Sequence, residues 1–132
     1  MAEIQFNSCR LLVPSAWKAE VDKECVTLIA QINPRGALQI STATKESGRV
    51  TDEDLVDFAS ARSEQQGRLQ RIKTPNLTGI TAEHWQNQVF WKEWWLAADN
   101  LVVYITYNVE RPFKGLEDEA VQQVVESVRL MK

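Results

Sequence analysis

His84-Trp85-Gln86-Asn87-Gln88-Val89-Phe90-Trp91-Lys92-Glu93-Trp94-Trp95-Leu96-Ala97-Ala98-Asp99-Asn100-Leu101-Val102-Val103-Tyr104-Ile105-Thr106-Tyr107-Asn108-Val109 is the stretch whose reading decides the fold. Four of the chain's five tryptophans, Trp85, Trp91, Trp94 and Trp95, fall within eleven residues of it. From Ile80 to Val109 the pattern reads as a β-hairpin. Asp99-Asn100 suits a two-residue turn, because both residue types tolerate left-handed backbone geometry. That turn sets Ala98 beside Leu101, Leu96 beside Val103, Trp94 beside Ile105 and Trp95 beside Tyr104.

Side chains alternate along a strand, so the register divides the hairpin into two faces. Leu101, Val103, Ile105, Tyr107 and Val109, with Phe90, Trp94 and Leu96, form the face expected to be core and to receive the helices. Trp91, Glu93, Trp95 and Ala97, across from Val102, Tyr104 and Thr106, form the other. A slip of one residue would exchange the partners. Two readings of the second face stand side by side. It is covered by the N-terminal strands or by a loop such as Pro112-Phe113-Lys114-Gly115, its aromatic pairs stabilising the sheet. Or it is an interface, since Trp and Tyr bury a large area, keep a polar handle and are enriched among hot spots. On that second reading the partner-binding residues are Trp91, Glu93, Trp95 and Tyr104, joined by Trp85.

Outward from the hairpin, short strands precede it. Arg10–Val13 stops at Pro14. Glu24–Ile32 is rich in β-branched residues, and Asn33-Pro34-Arg35-Gly36 has turn chemistry. Ala37–Thr44 alternates, with Leu38, Ile40 and Thr42 on one face. Leu69–Lys73 reads as a further strand. Thr51 with Asp54 three residues on resembles a capping box, and Asp52, Glu53 and Asp54 suit the positive end of a helix dipole. Leu55, Phe58, Ala59 and Arg62 recur at helical spacing, giving a first helix over about 52–66 that Gly67 would close. Val121, Val124, Val125 and Val128 form the stripe of a second helix over 116–130. Its β-branched residues are poor helix formers, so packing on a sheet must hold it. The acidic triplet Glu117-Asp118-Glu119 is read as complementing its dipole.

The 132 residues suit one domain, and 44% hydrophobic with 25% charged residues is ordinary for a globular protein. The net charge of −3 argues against nucleic acid, which would call for a basic stripe, and suits steering of a basic protein partner. The opening Met1–Phe6 lacks both a basic region and an apolar run, and no stretch is long and apolar enough to span a membrane; a cytoplasmic protein is expected. Cys9 and Cys25, in predicted strands without a C-x-x-C, are read as free core thiols.

Catalytic chemistry finds no foothold. His84 is the only histidine, and neither G-x-S-x-G nor a glycine-rich phosphate loop is present. No catalytic residue, metal site or cofactor is assigned. A carboxylate pair formed only in space stays open.

A strand leading into Pro14-Ser15-Ala16-Trp17 is similar to the Pro-x-x-Trp opening of PsbP-like and DcrB-like bacterial proteins, which share a superfold with the Mog-type Ran-binding factor. The similarity continues through a Gly79-led hairpin, the strand carrying Tyr104-Ile105-Thr106-Tyr107, and a C-terminal helix ending near Ser127-Val128-Arg129-Leu130. It implies an α+β sandwich, an antiparallel sheet of about six to seven strands packed against two helices. It also implies binding rather than catalysis, since small DcrB-like proteins act as adaptor chaperones for secreted effectors. This chain departs from envelope-anchored members in lacking a lipoprotein signal. The expectation is a non-enzymatic domain that binds another protein, first as an immunity protein neutralising a bacterial toxin and second as an effector-loading adaptor. From a different class, the tryptophan-lined face would form the wall of an apolar-ligand or enzyme pocket.

Overall fold

The computed structural model describes residues 2–62 and 68–131. Along them run β1 (Ala2–Phe6), β2 (Cys9–Val13), β3 (Trp17–Val21), β4 (Val26–Ala30), β5 (Gly36–Thr44), α1 (Asp52–Arg62), β6 (Gln70–Lys73), β7 (Thr78–Gln86), β8 (Val89–Ala98), β9 (Leu101–Glu110), α2 (Asp118–Ser127) and β10 (Arg129–Leu130). A single 3-10 turn, Arg111–Phe113, follows β9. Seven strands form an antiparallel sheet in the order β3-β4-β5-β9-β8-β7-β6, and β1-β2-β10 form a small second sheet. The architecture is thus an α+β sandwich on an antiparallel sheet.

The tryptophan-rich stretch takes the predicted register. Ala98 meets Leu101, Trp94 meets Ile105 and Trp95 meets Tyr104 around Asp99–Asn100, with Asp99 at φ 51°. It is, however, two hairpins and not one. A second turn at Asn87–Gln88, with Asn87 at φ 58°, folds β7 onto β8 so that Trp85 meets Phe90 and His84 meets Trp91.

The two helices lie on opposite faces of the large sheet, which corrects the expectation that one face receives both. Val121, Val124, Val125 and Val128 join Phe6, Leu11, Leu38, Ile105, Trp94 and Leu96 in the main core, roofed by α2 and the small sheet. Helix α1 lays Leu55 and Ala59 on the other face, against Ile80, Ala82, Trp95, Ala97 and Val102. Trp17, three residues after Pro14, is buried in the main core.

Local chemistry sets the helix ends. The Thr51 N–H donates to Asp54 Oδ2 at 2.8 Å, while the Asp54 N–H donates to Thr51 Oγ1 at 3.1 Å. This is a reciprocal capping box with aspartate in the third position. The expected closure of α1 at Gly67 lies outside the described residues. Helix α2 is shorter than the valine stripe implied. It starts at Asp118 and ends at Ser127, whose hydroxyl donates to Val124 O at 2.7 Å and accepts the Leu12 N–H at 2.9 Å. Val128 is extended, and Arg129–Leu130 pair with the edge of β2. Pairing that edge outweighs another half-turn of β-branched helix. Cys9 lies in β2 as expected, and burial pushes its thiol up to about 11. Cys25 is half-buried just before β4 rather than within a strand.

Glu117 has a role that dipole complementation does not describe. It is buried, and its carboxylate accepts the Tyr107 hydroxyl at 2.7 Å and the backbone N–H groups of Gly36 and Arg35 at 2.9 and 3.3 Å. One side chain ties the approach to α2 to the start of β5 and the end of β9. Burial first, and the Glu117 carboxylate second, push the Tyr107 phenol well above its ordinary value.

Two outcomes follow. A Cβ on Gly79 would stand 2.0 Å from the Trp95 carbonyl oxygen. Gly79→Ala should therefore force β7 and β8 apart and cost about 1–3 kcal/mol by denaturant titration. The Lys45 ammonium, hydrogen-bonded to Asp54, and then the Thr51 N–H hold the Asp54 carboxyl below its ordinary value. A depressed folded-state pKa gives stability that is present above the unfolded pKa and lost as pH falls through the folded one. Asp54→Asn should flatten that acidic limb in melts recorded across the carboxylate range, and an unchanged limb would refute the assignment.

Candidate functional site

The five residues singled out in the sequence do not form one surface. Trp95 is 0% exposed, covered by Leu55 and Ala59 of α1 and stacked on Tyr104 with ring centroids 5.6 Å apart. A partner cannot touch it in this structure. Glu93 is 5% exposed and already engaged. Its Oε2 accepts the Tyr104 hydroxyl at 2.5 Å, and its Oε1 lies 3.5 Å from His84 Nδ1, an ion pair when the imidazole is protonated. His84 stacks on Trp91, the planes 1° apart and the centroids 6.2 Å apart. This polar cluster at the end of the sheet beyond α1 orders Tyr104 and Trp91, both half-buried.

Trp85 lies on the opposite face from the other four, because the Asn87–Gln88 turn places it across from Phe90. It is 39% exposed. Its ring packs at a tilt on Phe90, centroids 5.3 Å apart, and carries the Arg111 guanidinium 4.3 Å from its centroid. Arg111 is itself clamped: its N–H donates to Gln88 O at 2.8 Å and its Nε to Gln88 Oε1 at 3.0 Å. The Lys114 ammonium lies 4.6 Å from the Phe90 ring centroid, and that of Lys92 lies 5.2 Å from the Trp94 ring centroid. Three cations thus lie over three aromatic rings along one face of the β7–β8 hairpin, from Trp85 near its tip to the buried Trp94 further along β8, each gaining from the ring quadrupole.

Beside this row a groove of about 330 Å³ runs between the sheet and the start of α2. Phe90, Trp94 and Tyr107 line it together with the charged Glu83, Lys92, Lys114, Asp118 and Glu119, and Lys92 pairs with Glu83 at 3.5 Å. Trp94 Nε1 is buried without a hydrogen-bond partner among the described residues. Sequence reading offered the loop Pro112-Phe113-Lys114-Gly115 as a cover for the Trp91–Trp95 face; instead α1 covers Trp95, and the 3-10 turn brings Lys114, with the unremarked Arg111, over Phe90 and Trp85 on the opposite face. A signal for that change of direction was Pro112, two residues past the end of β9.

Among the described residues no group of three His, Cys, Asp or Glu side chains could hold a metal ion. No described helix is long and apolar enough to cross a membrane.

No family model matches the sequence, and no curated protein matches it either. Solved structures do. A protein from Bacteroides thetaiotaomicron superposes with a TM-score of 0.67 at 12% identity, over 94% of this chain and 45% of its own. This chain therefore spans less than half the length of that neighbour. Cyanobacterial PsbP from Synechocystis superposes with a TM-score of 0.63, also at 12% identity, over 93% of this chain and 86% of its own. The fold is PsbP-like, as the Pro-x-x-Trp opening and the strand pattern implied.

Burial of consecutive tryptophans on opposite faces has a direct consequence. Trp94→Ala and Trp95→Ala should each cost about 3–5 kcal/mol, as truncation of other buried aromatics does. Sequence reading alone would make Trp95 the milder of the two. A Trp95→Ala protein with an unchanged melt would place that ring outside the core.

Proposed function

We propose that the chain is a non-catalytic protein-binding domain whose contact is centred on Trp85 at the β7–β8 hairpin tip. The observation that carries this reading is an exposed tryptophan held rigid from two sides, by Phe90 beneath and the clamped Arg111 above. An ordered aromatic loses little conformational freedom on binding, which is what distinguishes an anchor from an exposed side chain at rest. The groove beside it would receive the neighbouring part of the partner. Overall charge of −3 favours approach of a basic protein, while Arg111 and Lys114 favour carboxylates at the contact itself.

The biological setting proposed is immunity, the partner being a bacterial toxin. Acidity and an aromatic contact support it. The adaptor reading draws on the PsbP-like fold alone. A pocket walled by Trp95 is not favoured, since Leu55 and Ala59 fill that space.

Trp85→Ala should weaken binding of the native partner by roughly 2 kcal/mol or more, the scale of a hot spot, and lower stability by about 1 kcal/mol. Affinity capture from the native host, followed by calorimetric titration of both proteins with the captured partner, measures the first. Thermal melts measure the second. Equal affinity for the two proteins would remove Trp85 from the interface. A captured protein that is toxic alone and harmless when co-expressed with this chain would support immunity, and a captured secretion component would replace it with the adaptor.

A further inference from the structure

The outer edge of β5 is open over its second half. β5 pairs with β9 along its full length, from Gly36 to Thr44, but with β4 only from Leu38 to Ile40. The β3–β4 hairpin turns back too early to reach further. Its turn is locked at Asp22: the Asp22 N–H donates to Cys25 O at 3.0 Å, and Asp22 Oδ1 accepts the N–H groups of Glu24 and Cys25 at 2.8 and 2.9 Å.

Ladder phase decides which groups face the open edge. Lys45 donates its N–H to Asn100 O at 2.8 Å, so in the β5–β9 register Lys45, Ala43 and Ser41 direct their backbone groups at β9. Thr42 and Thr44 therefore direct theirs outward. The Asp22–Cys25 bond gives the same phase from the other side, turning Val26 and Leu28 toward Ile40 and Leu38. No described residue hydrogen-bonds the outward backbone of Thr42 or Thr44.

Proteins usually blunt such an edge with charge, proline or a covering element. Ser41-Thr42-Ala43-Thr44 has neither charge nor proline, and among the described residues Asn7 leans over it, donating Nδ2 to Thr42 Oγ1 at 2.8 Å. Two depressions flank the edge. A polar notch of about 460 Å³ opens where β4 would have continued, lined by Lys23, Glu24, Cys25, Ser41, Tyr104 and Thr106. An apolar pocket of about 180 Å³ lies between the end of β5 and α1, lined by Ala43, Val50, Phe58 and Val102. Ser41 and Ala43 are two residues apart and lie on one face, as do the side chains of a strand laid beside them.

We propose that the Ser41–Thr44 edge is a strand-addition site for an extended segment of a partner protein. Thr42 and Thr44 pair with its backbone, and two of its side chains, two positions apart, enter the notch and the pocket. The first is polar and the second aliphatic. The occupant is an extended peptide because the edge presents backbone donors and acceptors at strand spacing, which another extended chain matches. This rests on the protein-binding reading and adds a second contact, on a different strand from Trp85.

The test uses a display library of short random peptides selected on the whole chain. Amide hydrogen exchange is then followed by NMR with one selected peptide. In the free protein the Thr42 and Thr44 amides should exchange fast while those of Ser41 and Ala43 are protected. The peptide should slow Thr42 and Thr44 by about tenfold or more. Thr42→Pro removes one outward N–H and leaves the β9 ladder intact, as proline on an edge strand does. It should weaken the peptide by about tenfold, the worth of one or two backbone hydrogen bonds, whereas Thr42→Ala should not. Thr44→Pro serves the same purpose should Thr42→Pro fail to fold. Failure to enrich any peptide, equal binding to the proline variants, or Thr42 and Thr44 amides already protected in the free protein would overturn the proposal. So would a dimer of the chain that Thr42→Pro dissolves, since the occupant would then be a second copy. The native partner separates the two readings. Loss with Trp85→Ala but not with Thr42→Pro overturns the edge alone, and loss with Thr42→Pro but not with Trp85→Ala supports the edge and overturns the aromatic tip.

Discussion

β8 carries two adjacent tryptophans, and alternation sends them to opposite faces of a central strand. Neither ring can be left in water without losing the free energy of a large apolar area. The sheet must therefore be roofed on both sides, and the rest of the chain is arranged to do this. α2 and the small sheet close over Trp94, and α1 closes over Trp95. The loop before α1 is pinned to the β8–β9 turn, with the Lys45 and Val50 N–H groups donating to Asn100 and Asp99 oxygens at 2.8 Å each. Helix α1 is thus delivered onto the strand that needs it.

The elements legible in the sequence were those with a short-range physical signal. Asp99–Asn100 fixed a register through turn geometry, the valine stripe marked a helix face, and Thr51 with Asp54 marked a helix start. β3 went unread because Trp17-Lys18-Ala19-Glu20-Val21 has a weak apolar side and lies at a sheet edge, where only Trp17 is buried. The turn at Asn87–Gln88 was missed because Asn-Gln lacks the glycine that usually announces a two-residue loop. β10 depends on a partner far away in sequence, which local pattern cannot supply.

For the candidate site, the division of the hairpin into faces was readable, but which face stays exposed was not. A weakly amphipathic segment such as Asp52–Arg62 gives little sign of which surface it covers, and its docking removes Trp95 from the surface. Arg111, Lys114 and Glu117 act across the chain, over an aromatic row and at the start of β5, and nothing in their neighbours' spacing announces it. The open part of β5 is likewise a property of where β4 ends and not of the β5 residues themselves.

The order of strands also bears on how the chain folds. β6 to β9 form a meander joined by tight turns, each pairing made between neighbours in sequence. β5, paired on its other side with β4, joins this meander only through β9, linking residues 36–44 to 101–109 across α1 and three strands. Closing that loop costs entropy before any contact rewards it, which places the β5–β9 seam late on the folding route and the meander early. A chain emerging from the ribosome makes β1 to β5 first and must hold them without their mate until β9 appears. Through that interval the whole β9-facing edge of β5, and the Ser41–Thr44 stretch of its other edge beyond the β4 pairing, lie open to other chains.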